Sequence, residues 1–160
     1  MYIFSLRGFI TLIAALFTTL TSCSIDKDTP LFNHKDLKIN LVRAEKDFGA
    51  WYYDLELQNT GKIEIGFISL FLGYPIKVSN GSKSNPFKVE GATRDAKPIK
   101  LGTNEKITFH VVAPVEEVFG ATAALDFDHP SLEIKGYAMK GDQAIPFGIS
   151  GSLELLVRND

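Results

Sequence analysis

From Leu37 onward, apolar and polar residues alternate with a period of two, the spacing of strands that bury one face. Leu37, Ile39 and Leu41 alternate with Lys38 and Asn40. After a polar connection, Glu45 to Ala50, the residues Trp51, Tyr53, Leu55 and Leu57 alternate with Tyr52, Asp54, Glu56 and Gln58. Asn59-Thr60-Gly61 is a turn signal, since Asn and Gly tolerate the positive φ of tight hairpins. Ile63, Ile65, Phe67, Ser69 and Phe71 then interleave with Ile68, Leu70 and Leu72, so this strand is apolar on both faces and belongs in a central or doubly covered position.

Gly73-Tyr74-Pro75 bends the chain before a short strand at Ile76 and Val78. Ser79 to Pro86 reads as a long surface hairpin loop, and short strands follow at Phe87 and Val89 and at Ile99 and Leu101. Ile107, Phe109 and Val111 mark another half-buried strand. Ala113 to Asp126 is the one place for a helix, of at most two turns, with a loop as the alternative. Pro114 fits its first turn, Glu116 and Glu117 favour the positive end of its dipole, and Gly120 stops it. Leu132, Ile134 and Gly136 predict a strand that ends at Lys140-Gly141-Asp142.

The last strand has the cleanest alternation: Ile145, Phe147, Ile149, Gly151, Leu153, Leu155 and Val157. Phe147, Ile149, Leu153 and Leu155 should face the core, and Ser150, Ser152 and Glu154 should face away. Pro146 and Gly148 call for an edge position, a bulge or a bend there. About seven to nine short strands with frequent turns predict an all-β, antiparallel, immunoglobulin- or fibronectin-III-like β-sandwich.

The N-terminal segment follows a different pattern. Arg7 precedes the uncharged run Phe9 to Leu20, and Leu20-Thr21-Ser22-Cys23 closes it with the only cysteine. A basic start, a short apolar core and small residues before a cut are the parts of a secretory signal. The stretch at Cys23 resembles the lipobox of bacterial lipoproteins. That resemblance implies cleavage after Ser22, lipidation of Cys23 and attachment to the membrane through two or three acyl chains, enough for stable anchoring. The alternative is an uncleaved membrane helix over the uncharged stretch Gly8 to Ile25, which Thr18, Thr19, Thr21 and Ser22 weaken. The expected organisation is therefore a signal helix at 1–22, the lipidated Cys23 with a polar tether at 23–36, and a sandwich domain at 37–160. Leu31 and Phe32 are the tether's only apolar pair and are placed to dock on the domain edge. Ser24 stands where an Asp commonly retains such proteins in the inner membrane, so the location leans towards the outer membrane of the cell envelope.

Charge narrows the partners. The chain carries a formal −2, and loss of Arg7 with the signal makes it −3. Such a small charge provides no field suited to nucleic acid or to an acidic membrane surface. With Cys23 lipidated the mature domain has no thiol, so neither a disulfide nor a Cys–His mechanism is available.

Catalytic spacing is weak throughout. Gly148-Ile149-Ser150-Gly151-Ser152 misses the last glycine of a nucleophile elbow and lies within a strand. His34, His110 and His129 share no metal-ligand spacing. Asp126-Phe127-Asp128-His129-Pro130 is the densest set of potential ligands, but it lacks the glycine and final glutamate of a calcium loop and suits a turn. Asn80-Gly81-Ser82 matches a glycosylation sequon that a bacterial lipoprotein rarely uses. Trp51, Tyr52, Tyr53 and Tyr74 offer an aromatic binding face or, more commonly for such residues, core and cross-strand pairs.

A further resemblance covers roughly residues 37 to 158. It rests on Tyr53 to Gln58 running into Asn59-Thr60-Gly61, the apolar strand Ile63 to Leu72, Phe87-Lys88-Val89-Glu90-Gly91, Ile99-Lys100-Leu101-Gly102, and Ile145-Pro146-Phe147 with Ser150-Gly151-Ser152-Leu153. These stretches resemble the late-embryogenesis-abundant group 2 family, also called LEA14 or water-stress-hypersensitivity (WHy) domains; the family's usual Asn-Pro is Asn59-Thr60 here. The resemblance implies a small β-sandwich without catalytic residues, associated with protection of proteins or membranes during dehydration. The expectation is a non-enzymatic envelope lipoprotein that binds or protects envelope components. The alternative is an accessory subunit docking a protein partner through a sheet edge or the Ser79–Pro86 loop. Neither a cofactor, a metal nor a small-molecule substrate is indicated.

Overall fold

The alternation from Tyr53 to Gln58 forms the middle strand of a three-stranded sheet, and the doubly apolar stretch after it forms an inner strand of a second sheet. A computed structural model describes residues 32–95, 99–120 and 122–157. The signal segment, Cys23 and the tether through Leu31 lie outside the described residues. A 3₁₀ turn at His34–Asp36 leads into β1 (Leu37–Asp47), β2 (Ala50–Asn59), β3 (Glu64–Gly73), β4 (Ile76–Val78), β5 (Gly81–Lys83), β6 (Lys88–Glu90) and β7 (Lys106–Pro114). A short helix α1 (Val115–Phe119), β8 (Ser131–Lys140), β9 (Gln143–Ser152) and a second short helix α2 (Leu153–Val157) complete the described chain.

One sheet has the order β1-β2-β7, the other β6-β3-β8-β9, and β4 pairs with β5 alone. Every pairing is antiparallel. This is the all-β sandwich expected from the alternation. Tyr53, Leu55, Leu57, Phe109 and Val111 from the first sheet meet Ile65, Ile68, Leu70, Leu72, Leu132 and Ile134 from the second in one buried core. Each such aliphatic side chain contributes about 1.5–3 kcal/mol by leaving water. The outer face of the first sheet is polar, and Glu56 there accepts from Lys106 Nζ at 2.8 Å and Asn40 Nδ2 at 3.3 Å. Lys106 and then Asn40 hold its carboxyl below the usual range.

Asn59 ends β2, but the chain does not turn back on its neighbour there. It crosses to the other sheet, and neither Asn59 nor Gly61 has positive φ. The reason is the Asn59 side chain, which is fully buried. Its amide donates to the carbonyls of Ile63 at 2.9 Å and Leu101 at 3.0 Å, and its oxygen accepts from the Gly61 N–H at 3.0 Å. Its backbone joins the turn before β7, donating to Glu105 O and accepting from Asn104 N. Thr60 donates its backbone N–H to Asp36 O at 2.7 Å, a bond proline could not make.

Several boundaries differ from the sequence expectation. Glu45 to Ala50 is not a polar connection: β1 runs to Asp47, and Phe48-Gly49 alone make the turn, both with positive φ. In β3 a bulge at Gly66 interrupts the alternation, with the Met139 side chain against the glycine. Ile65 lies inward before it and Ile68, Leu70 and Leu72 after it, which accounts for the apolar residues of both parities. The strand is central, but its outer face is open at Phe67. Ser79 to Pro86 is not one loop: Ser79-Asn80 is the turn of the β4–β5 hairpin, and Asn85 is buried with its amide donating to Tyr74 O. Leu101 makes an isolated bridge to Ile65 rather than a strand. The folded part also begins before Leu37, because buried Phe32 stacks on Phe147 at 4.1 Å.

The largest correction is at the C-terminal end. Of the edge position, bulge or bend that Pro146 and Gly148 called for, β9 takes the edge position, but it stops at Ser152 and the chain turns into α2. Leu153 is buried and Leu156 and Val157 pack against the core, while Leu155 is 65% exposed. Leu153, Leu156 and Val157 stand at helical spacing, and the Leu153 N–H donates to Pro130 O at 2.9 Å. Leu155 therefore does not point inward. Between the helix and the loop left open after Ala113, a single helical turn forms: Pro114 stands just before it, without a capping hydrogen bond, and Gly120 ends it in the left-handed conformation.

Two stability contrasts follow. Leu153→Ala should cost about 2–5 kcal/mol and Leu155→Ala less than about 0.5, read as urea midpoints of the chain from Ser24 onward. Asn59→Ala, which leaves the buried Gly61 N–H without its acceptor and takes a donor from Ile63 O and Leu101 O, should cost about 2–4 kcal/mol, and an unchanged midpoint would refute the anchoring role of its amide.

Candidate functional site

The open side of the sandwich lies between β1 and the β9–α2 segment, each at the edge of its sheet. Helix α2 packs on β1 across this gap. Beside it is a groove of about 330 Å³. Leu41 and Ala44 of β1, Trp51 and Tyr53 of β2, and Leu153 and Val157 of α2 give it an apolar wall. Phe127, Asp128, His129 and Pro130 close its end. Trp51 is half-buried and stacks on Tyr53 with ring centroids 5.8 Å apart. Beneath them Tyr74 meets Phe127 at 4.9 Å and Phe119 at 5.6 Å, both edge to face.

Of the four aromatic residues singled out in the sequence, Tyr53 and Tyr74 are core, Trp51 walls the groove, and Tyr52 points to the other face, under Arg43 at 5.8 Å. The Tyr74 hydroxyl is enclosed beside Tyr53 without a well-formed hydrogen bond. Burial raises both phenols, that of Tyr74 well above the usual tyrosine range.

The Asp126 to Pro130 stretch is a turn, as its composition suggested. The Asp126 N–H donates to Pro75 O at 2.8 Å, and its carboxylate faces His129 Nδ1 at 3.1 Å and Lys77 Nζ at 3.8 Å. Burial works against the Asp126 charge, but His129, with Lys77, holds its carboxyl below the ordinary range. Ser150 shares a shallow cleft with Asp126 and His129, but no hydroxyl hydrogen-bonds to His129 among the described residues. His110 lies on the outer face of the first sheet with Nδ1 2.6 Å from Asp54 Oδ1, and His34 flanks Phe32. Among the described residues, no three His, Cys, Asp or Glu side chains come together as a metal site. Cys23 lies outside the described residues.

Sequence reasoning weighed Trp51 and Tyr53 apart from Asp126 to Pro130, and it missed Leu41, Ala44 and Val157 as walls of the same groove. Only Leu156, the apolar residue that breaks the final alternation, hinted at the helix that shapes it. The arrangement suits an apolar side chain or acyl segment, with polar atoms at the rim for orientation. No protein-family model matches the chain, and no curated protein matches it.

Tyr74→Phe tests the buried phenol. Because its hydroxyl has no well-formed partner, the change should move the urea midpoint by less than about 0.5 kcal/mol near neutral pH. The raised folded value means stability is intact below about pH 10, the unfolded tyrosine value, and declines as pH rises above it. The alkaline decline should be shallower in Tyr74→Phe, and identical profiles would refute burial as its cause.

Proposed function

We propose that the chain is a non-enzymatic, lipid-anchored lipoprotein of the bacterial envelope whose sandwich binds an apolar segment of an envelope component. The observation that carries the binding role is the groove between β1 and α2, apolar along its walls and polar at its rim. The Leu20-Thr21-Ser22-Cys23 stretch supports the anchor, on the periplasmic face of the outer membrane. The resemblance to the dehydration-associated family adds a protective role under water stress as the setting. A second reading, an accessory subunit that docks a protein partner, draws support from the edge of β1. Residues Leu41 to Asp47 are all exposed along the groove, and an extended peptide can add to such an edge while a side chain enters the adjoining pocket.

Cys23→Ser should abolish incorporation of labelled fatty acid and leave the precursor uncleaved; equal labelling in both proteins would end the lipoprotein reading. Ala44→Arg fills the groove from an exposed position. In pull-downs from detergent-solubilised membranes it should release what the wild type retains while leaving the urea midpoint within about 0.5 kcal/mol. One stoichiometric protein lost on substitution favours the subunit reading, lost lipid or mixed material favours the protector, and retention of everything rejects the groove.

A further inference from the structure

The pole of the sandwich opposite Asn59 carries three exposed large apolar side chains. Phe48, at the β1–β2 turn, is 96% exposed; Phe87, before β6, is 71% exposed; Val118, on α1, is 58% exposed. They belong to one end of the molecule. The Glu116 N–H of α1 donates to Gly49 O beside Phe48, and Phe87 and Val118 line one shallow hollow of about 430 Å³.

Phe48 is the most telling of these. Phe48-Gly49 is a two-residue turn between Asp47 and Ala50 with φ of 45° and 76°. Such turns favour Asn-Gly or Gly-Gly, and a bulky residue held at positive φ is strained. Here an aromatic ring accepts that strain and is also left in water, so nothing in the fold rewards it.

We propose that this pole contacts the lipid bilayer to which the protein is anchored, with Phe48, Phe87 and Val118 entering the acyl–headgroup boundary. This rests on the anchor reading above. Reach permits it. Eight residues, 24–31, separate Cys23 from Phe32, which limits the span between them to about 30 Å. Phe32 stacks on Phe147, and the five residues from there to Ser152 at this pole cover about 17 Å of strand. Separate apolar tips with polar residues between them suit insertion into an interface better than a continuous protein contact. Asp47, Glu116 and Glu117 stand beside the tips, so the contact draws on apolar burial rather than attraction to anionic headgroups.

The test uses the full lipidated protein in phosphatidylcholine vesicles containing chain-brominated lipid. In a Trp51→Phe background, tryptophan is placed at the pole by Phe48→Trp or at the opposite pole by Asp142→Trp. Bromine should quench the Phe48→Trp emission severalfold more than the Asp142→Trp emission, and high salt should leave the difference intact. Equal quenching at both positions, or none at position 48, overturns the proposal. Disulfide-length crosslinks between copies of Phe48→Cys, without quenching at position 48, would assign the pole to self-association instead. Co-sedimentation reports the anchor separately, so its failure is not mistaken for failure of the pole. Phe48→Asn supplies the second measurement. It should raise the urea midpoint by relieving the turn, whereas a lowered midpoint would make Phe48 a structural residue and overturn its assignment to the bilayer.

Discussion

The sandwich depends on one buried side-chain amide. A chain that leaves one sheet for the other breaks its ladder at the crossing, and the backbone groups set free there must be paired inside the protein. Asn59 meets that requirement with both ends of its amide, holding the first turn of the crossing and the carbonyls of Ile63 and Leu101. Asp36, through Thr60, and the turn before β7 join the same point. The start of β1, the end of β2, the approach to β3 and the entry to β7 are thereby held in one register. Leu and Ile side chains can then pack between the sheets without adjustment at their ends. A fully satisfied polar group specifies an arrangement that apolar contacts alone, being non-directional, leave free.

The two poles differ as a consequence. The Asn59 pole is cross-linked by hydrogen bonds. The other pole is built from hairpin tips, a one-turn helix and an aromatic cluster around Tyr74, with large apolar groups left outside. Between them, the side formed by β1 and β9 is closed by α2 rather than by another strand. A helix crossing a gap between sheet edges covers it incompletely, and the uncovered part is the groove beside Trp51 and Tyr53. The C-terminal switch from strand to helix thus both seals the core through Leu153 and shapes the apolar groove.

The period-two pattern by itself determined the all-β class and most of the strand centres; Pro114 and Gly120 bounded a candidate helix, and Pro146 and Gly148 set the last strand apart from a regular central one. These depend on backbone chemistry and on alternation, which are local to the residues concerned. Where apolar residues occupied both parities, the alternation lost its meaning. In β3 the bulge at Gly66 decides which residues enter the core, and Met139 from a strand distant in sequence fills the space beside the glycine. In the last segment Leu153, Leu155 and Val157 satisfy a strand, while Leu153, Leu156 and Val157 satisfy a helix. Only the open side of the sandwich, with Pro130 O waiting for the Leu153 N–H, chose between them. The groove was illegible for the same reason: its walls come from β1, β2, the turn at Asp126 to Pro130 and α2. Such side chains become neighbours only after the sheets have stacked, because burial and contact are properties of the packed chain rather than of any one stretch.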